Sequence, residues 1–353
     1  MIISRTPYRI SFFGGGTDYP AWYLKNGGEV LSATIDKYCY ISSRYLPPFF
    51  DHKIRIVWSQ NELCQDVSEI IHPSVRETLK YLSMQIEGLE IYHQGDLPAR
   101  SGVGSSSSFT VGLLNAICTL QGEMIDKHQL AERSIHIEQN LIKETVGSQD
   151  QVSAAYGGFN HIRFLTNGSF AVNPIEIGQD RINDLNQHLM LFFTGVARTA
   201  EKVAESYVVD IETKEKQLCS MQKMVGEAIS TLTGKGSLED IGKLLHEAWL
   251  RKSSLSKLVS NSYVDKMYSV AREAGALGGK LCGAGGGGFM LLFVPPEKQS
   301  TVKEKFHKLV HVPFDFEHEG TQIIFHDKQK RYFEEEESRA QNQISSFLDL
   351  KDL

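Results

Sequence analysis

The run "PYRISFFGGGTDYP", residues 7–20, carries Arg9 inside an apolar strand-like stretch, then three consecutive glycines and Thr17-Asp18-Tyr19. A cation and a carboxylate therefore stand on either side of a segment without side chains. A second stretch, "SGVGSSSSF" at 101–109, places small residues directly before an apolar helix. Backbone N–H groups and a helix N-terminus arranged in this way surround an anion, and a phosphate suits them. A merely flexible turn fits the same residues equally well. The pattern GxxxxGK[ST] is absent, so this is not the usual P-loop.

A third stretch, "GAGGGG" at 283–288, formally matches GxGxxG and raises a nicotinamide or flavin enzyme as a rival. That fingerprint needs a strand before it and a helix after it, whereas here the glycines lead into "FMLLFV", a strand. Two readings remain, a packing turn and a close backbone approach to a ligand. "GSQDQ" at 147–151 sets Asp150 between two amides. It reads either as an exposed loop aspartate or as part of a magnesium site. Magnesium is commonly held by one or two protein oxygens plus substrate phosphates, and Glu138 and a serine of the second loop could supply them.

The elements that must position these residues follow from periodicity. "TPYRISFFG", "EVLSATIDKYCYISSRYL" and "KIRIVWS" read as strands with an antiparallel start, and "GLEIYHQGDLP" as another. "SEIIHPSVRETLKYLSM" has helical spacing. Residues 126–144 read as one helix capped by Asp126, with Gln129 placed for a capping box. Ala131, Ile135, Glu138 and Ile142 share a face of that helix. Glu138 is then either a stripe-edge residue whose head reaches water or a buried carboxylate in need of a partner. "GGFNHIRF" and "FAVNPIEI" are strand-like, residues 199–274 are mainly helical, and "TQIIF" is a late strand. This order divides the chain into a first lobe at 1–180, a second at 181–330 and a charged tail at 331–353, the tail being a solvated helix or a disordered end.

Composition bounds the function. The 353 residues, 41% hydrophobic, suffice for two packed lobes. A net charge of -6 with both signs interleaved argues against a nucleic-acid stripe or a polybasic membrane anchor, so a small-molecule partner is expected. Five scattered cysteines without a CxxC pair suggest neither a disulfide framework nor a zinc site. With no signal-peptide h-region and no apolar run of membrane-spanning length, a cytoplasmic location is expected. Oligomeric state has no signature in the sequence.

Taken in this order, the three glycine loops and the Asp of "GSQDQ" resemble the GHMP kinases, the family of galactokinase, homoserine kinase and mevalonate kinase, over about 290 residues. The resemblance implies an α+β fold, with an N-terminal lobe like ribosomal protein S5 domain 2, a ferredoxin-like C-terminal lobe and the active site between them. It implies ATP and Mg2+ as cofactors. It places Arg9 beside the reacting hydroxyl, Asp150 as its base, and Gly15, Gly16, Thr17 and Asp18 against the sugar. Where galactokinases have Glu and His, this chain has Gly15 and Gly16. Gly102, Gly104, Ser105, Ser106 and Ser107 fall in the ATP-phosphate motif, with Ser106 as magnesium ligand opposite Glu138 and Ser105 next. Gly285 and Gly286 fall in the motif that borders the substrate.

Within the family, "GSQDQVSAAYGGFN" and "FFTGVARTAEKV" look most like the branch that phosphorylates the anomeric hydroxyl of D-glycero-D-manno-heptose 7-phosphate. Its 1,7-bisphosphate product is used for nucleotide-activated heptose. Fucokinase-like and other anomeric sugar kinases share parts of these strings. A substrate already phosphorylated needs a cationic clamp, for which Arg198 is the first choice and Arg44 and Lys202 the second. A surface cation paired with Glu201 or Glu205 is the plainer reading of Arg198. Some kinase-like proteins are sensors without turnover; the presence of Arg9, Asp150, Ser106 and Glu138 together favours catalysis.

Overall fold

A computed structural model describes residues 1–84, 88–196, 200–328 and 330–342. The first part of the chain runs β1 (Ile2–Phe13), α1 (Pro20–Asn26), β2 (Gly28–Tyr45), β3 (Ile54–Val57), β4 (Asn61–Cys64), α2 (Pro73–Tyr81), β5 (Leu89–Gly95), α3 (Ser105–Gln121), α4 (Lys127–His136), α5 (Gln149–Tyr156), β6 (Phe159–Phe164) and β7 (Phe170–Pro174). Then follow α6 (Gln179–His188), β8 (Leu189–Phe193), α7 (Ala200–Val208), α8 (Glu215–Thr233), α9 (Glu239–Ser253), α10 (Ser262–Glu273), β9 (Gly278–Leu281), β10 (Phe289–Phe293), α11 (Gln299–Lys305) and β11 (Val310–Val312). The chain ends with β12 (Phe316–Glu317), β13 (Gln322–His326) and α12 (Phe333–Asn342).

β1 and β2 are long, rich in Ile, Tyr and Phe, and pair antiparallel along almost their whole length. Around them a nine-stranded sheet forms, in which β3 and β5 are the parallel pair. The second sheet, β11-β8-β10-β9, is antiparallel throughout. One of its two inner strands, "FMLLF", is buried at every position, which is why it reads as a continuous apolar run. Buried side chains of both sheets, such as Ile10 and Leu31 with Leu191 and Phe289, belong to one continuous apolar core.

Residues 316–326 depart from the expected second lobe. β13 pairs with β1 and β12 with β2, so this stretch of 181–330 completes the first sheet. Strand propensity fixes that "TQIIF" is extended, but the choice of partner is a long-range matter that no local pattern encodes. The helix expected from "SEIIHPSVRETLKYLSM" begins only at Pro73, because proline fits a first helical turn and not an interior one.

α3 lies across β1 and β2 as the central packed helix. Gly112 lets it approach closely: a Cβ there would lie 2.6 Å from Thr6 Oγ1. The Ser4 hydroxyl donates to the Gly112 carbonyl at 2.8 Å, and the Ser108 hydroxyl to the Pro7 carbonyl at 2.9 Å. These bonds fix the start of α3 against the strand that carries Arg9. Among the described residues no helix is long and apolar enough to cross a membrane.

Candidate active site

A cleft of about 220 Å³ opens where the three glycine loops meet α5, α7 and α9. Arg9 leaves β1 at its floor. Its Nε and Nη2 each donate to one oxygen of Asp150 at 2.7 Å, a bidentate pair, and its Nη1 donates to the Gly102 carbonyl at 2.7 Å. The arginine side chain is 4% exposed and the aspartate 24%, so the cation is the buried anchor and the carboxylate is the partner that faces the cleft. Asp150 sits in the first turn of α5.

The second loop is built as an anion cradle. Gly102 and Gly104 have φ of +84° and +75°, the left-handed region that glycine alone adopts without strain. Gly104 precedes α3, and no side chain caps the helix. The first N–H groups of α3 are therefore left for a ligand. Gly102, Gly104, Ser105, Ser106 and Ser107 all line the cleft. The third loop supports the second by backbone contact alone: a Cβ on Gly283 would lie 2.6 Å from the Gly102 Cα, and one on Gly288 2.2 Å from the Ser101 carbonyl oxygen. Any side chain at either position would push the cradle away.

The serine facing Glu138 is Ser107 rather than Ser106. Its hydroxyl donates to Glu138 Oε2 at 2.8 Å, whereas Ser106 is turned to the exposed side of the first turn. One residue along a helix rotates a side chain by about 100°, which moves the contact from Ser106 to Ser107. Ser105 accepts from the Arg100 N–H at 3.2 Å. Glu138 is fully buried, which removes the reading in which its head reaches water. Gln151 also donates to Oε2, while Oε1 has no partner among the described residues. Burial pushes its acid up to about 7 against the lowering effect of its hydrogen bonds. The carboxylate sits immediately behind Ser107 and does not itself line the cleft. The helix expected over 126–144 has the Asp126–Gln129 capping box, but the α-helix stops at His136. A π-turn, Ile137–Leu141, follows and tucks Ile137 and Glu138 inward together.

In the first loop Gly15, Gly16 and Asp18 line the cleft. The Asp18 carboxylate is 1% exposed and accepts from the Gly16 N–H at 2.9 Å and the Gln149 N–H at 3.4 Å. Burial raises its acid, with the charge of Asp150 adding to the effect. Gly147 makes this approach possible, since a Cβ there would lie 1.9 Å from Asp18 Oδ2. Thr17, expected against the substrate, instead closes the turn: its hydroxyl lies 2.8 Å from the Gly14 carbonyl oxygen and accepts from the Glu29 N–H at 3.0 Å. Gly285 and Gly286 are likewise outside the lining. Gly285 packs on Val259, and the Gly286 N–H donates to the Val259 carbonyl at 2.8 Å, while Gly283 and Ala284 take the cleft-facing positions.

Several lining residues escaped sequence reasoning. Ser11 Oγ and Gln149 Oε1 are buried, border the opening beside Gly15 and have no partner among the described residues. Tyr207 reaches in from α7, its hydroxyl 3.3 Å from that of Tyr19. Lys252 comes from α9, is 5% exposed, and donates to the Gly283 carbonyl. Alternation would have flagged Ser11 as an inward polar position of β1; nothing local marks Tyr207 or Lys252. Lys280 lies deeper and donates to the Ser11 and Phe12 carbonyls at 2.7 and 3.0 Å, tying the third loop to β1.

Arg198 lies outside the described residues. Of the alternative clamps, Arg44 is paired with Glu90, Nε to Oε2 at 2.5 Å, and neither it nor Lys202 lines the cleft.

Comparison with known proteins agrees with this architecture. Residues 70–158 match the family model described as GHMP kinases N terminal domain, and residues 228–311 the one described as GHMP kinases C terminal. A D-glycero-alpha-D-manno-heptose 7-phosphate kinase of Campylobacter jejuni is 29% identical over 322 residues, 87% of this chain and 93% of that protein. A mevalonate kinase of Thermococcus gammatolerans is 30% identical over 64% of this chain and 69% of its own length. In three dimensions, a D-glycero-D-manno-heptose 1-phosphate kinase from Bacteroides thetaiotaomicron superposes with a TM-score of 0.77 over 93% of this chain and 100% of that one, at 22% identity. Two matched domains in the right order, around a cleft where three glycine loops hold a bidentate Arg–Asp pair at an uncapped helix start, make this chain a member of the GHMP kinase family.

Proposed function

We propose that this GHMP kinase transfers the γ-phosphoryl group of ATP to the anomeric hydroxyl of D-glycero-D-manno-heptose 7-phosphate, giving the 1,7-bisphosphate. The observation that carries the reading is the Arg9–Asp150 pair opening beside the uncapped start of α3, which brings a proton acceptor next to a phosphate cradle. Each Asp150 oxygen keeps an acceptor position beyond its bond to Arg9 and can take the proton of an incoming hydroxyl. Arg9 fixes the carboxylate and offsets charge as it develops. An anomeric hydroxyl, more acidic than an ordinary alcohol, asks little of this base. Asp18, Ser11 and Gln149 offer acceptors and a donor to sugar hydroxyls, and Gly15 keeps that space free. The N–H groups of Ser105, Ser106 and Ser107 face the nucleotide phosphates.

Magnesium suits the residues present. Glu138 has one oxygen without a partner, next to the Ser107 hydroxyl and directly behind the cradle. A single carboxylate with a hydroxyl, completed by phosphate oxygens and water, is an ordinary magnesium donor set. When bound, the cation neutralises phosphate charge at the point of transfer. The 7-phosphate is assigned to Arg198, which follows β8 and precedes α7, the helix whose Glu201, Ala204 and Tyr207 border the cleft.

The test is the relative kcat/KM for D-glycero-D-manno-heptose 7-phosphate and the unphosphorylated heptose, read by ADP release. A preference of about 10² or more for the phosphorylated sugar is expected from a charge-assisted clamp. Arg198→Ala should remove that preference while leaving the KM for ATP in place. Equal use of both sugars, or a preference for the free one, would move the assignment to a fucokinase-like substrate.

A further inference from the structure

Among the described residues three cations border the cleft: Arg9, Arg100 and Lys252. Arg9 is neutralised by Asp150 and Arg100 stands at the exposed rim. Lys252 differs from both, being buried and forming no ion pair among the described residues, with the neutral carbonyl of Gly283 as its hydrogen-bond acceptor. A buried ammonium with only a carbonyl partner is costly, and two of its three N–H donors are left for something else. Around it, Cys282, Asp18 and Asp150 act as attractions and Arg9 and the buried Lys280 as repulsions. The folded chain by itself therefore leaves a positive charge waiting at the cleft.

The backbone tells which anion would meet it. Gly283, which carries the lysine's acceptor, is stacked on Gly102, and Gly102 in turn accepts from Arg9 Nη1 at 2.7 Å. Arg9 and Lys252 thus donate to two stacked glycines of the second and third loops, and Asp150 lies beside the cradle, 3.5 Å from where a Gly104 Cβ would stand. A phosphoryl group passing from the cradle to a hydroxyl held by Asp150 stays within the cleft that both cations border. We propose that Lys252 is a catalytic residue that contacts the γ-phosphoryl group of ATP and stabilises its charge during transfer.

The proposal rests on the phosphoryl-transfer reading and not on the identity of the sugar. In the step, a bond forms between the acceptor oxygen and the γ-phosphorus. The bond from that phosphorus to the β–γ bridging oxygen breaks and its electrons leave with ADP. The hydroxyl proton passes to Asp150, and Lys252 stays protonated throughout. Burial lowers its acid to about 8, which still leaves an ammonium at neutral pH, and a bound phosphate would hold it there.

The test is calorimetric and needs no sugar. Magnesium-loaded ATP and ADP are titrated into the full chain and into Lys252→Met. Losing one charge-assisted hydrogen bond to the terminal phosphate should weaken ATP by about tenfold or more and leave ADP unchanged. Lys252→Arg should keep part of the ATP preference, and in Lys252→Ala added ethylammonium should restore part of it. An equal loss for both nucleotides, even with the fold intact by circular dichroism, would mean that the lysine only supports the third loop. No loss for ATP would also overturn the proposal, whether or not the KM for the sugar rises. Should the wild type phosphorylate none of the sugars tried, the substrate assignment fails while the nucleotide comparison still decides the role of Lys252.

Discussion

Arg9 and Asp150 hold one another through two parallel bonds, so a change to either alters the charge and the posture of the other. Asp150→Asn preserves shape and removes proton acceptance; kcat should fall by about 10²-fold or more while ATP binding by calorimetry persists. Near-normal turnover would make the aspartate a structural partner of Arg9. Lys252 supports a second residue-level prediction. Its acid is depressed in the folded chain, from 10.5 to about 8, so the unfolded chain holds this proton more tightly. The contribution to stability is present above pH 10.5 and is lost as pH falls through about 8. Without ligands at pH 7, Lys252→Met should therefore melt about 2 °C or more above the wild type, and the gap should close as the pH is raised toward 10. A variant that melts lower at pH 7 would contradict the burial cost. At this scale Arg9 and Asp18 were legible because charged residues in apolar or glycine-rich strings stand out, whereas the role of Asp150 came through the family resemblance of "GSQDQ". Tyr207 and Lys252 were not, because each lies on an ordinary amphipathic helix and matters only through contacts made far along the chain.

The start of α3 and the turn after α4 decide which serine meets the buried carboxylate. On the proposed magnesium site, in which the Ser107 hydroxyl joins Glu138, Ser107→Ala should shift the magnesium activation curve of turnover to higher concentration by about tenfold, and Ser106→Ala should shift it less. The reverse order would restore Ser106 as the ligand. Sequence reading placed the serine loop and Glu138 in elements that do meet, yet expected Ser106 where the structure sets Ser107 against the carboxylate. The cause is physical: a glycine loop gives no marker for the residue at which helical phase begins, and a π-turn at Ile137–Leu141 breaks the 3.6-residue phase from which the environment of Glu138 was read. The Asp126–Gln129 capping box, whose atoms lie within one turn, was fully legible.

Across the whole molecule the chain closes on itself, since its late strands complete the sheet that its first residues began. The Thr6 and Thr321 hydroxyls lie 2.8 Å apart, and the Thr34 hydroxyl donates to the Glu317 carbonyl at 2.7 Å. Gly320 packs so closely on Ala155 that a Cβ would lie 2.1 Å from its carbonyl oxygen. Ending the chain after Phe314 should thus expose the edge of β1 and lower the melting temperature by about 10 °C or more, or give insoluble protein. Ending it after Lys328 removes the exposed α12 and should change the melting temperature by less than about 3 °C. Equal effects would show that the tail, and not β12 and β13, holds the first sheet. The mixed α+β architecture came from the resemblance to the GHMP kinases; strands early and helices late agree with it but do not establish it. The return of β13 to β1 was not legible, because strand pairing across more than 300 residues leaves no periodic trace.

Phosphorus NMR of the product formed from ATP and D-glycero-D-manno-heptose 7-phosphate tests the central claim most directly. The proposed assignment predicts a new sugar phosphorus that correlates with the anomeric proton, together with the retained 7-phosphate signal and stoichiometric ADP. A new phosphate on any other carbon, or ADP released with no new sugar phosphate, would contradict it.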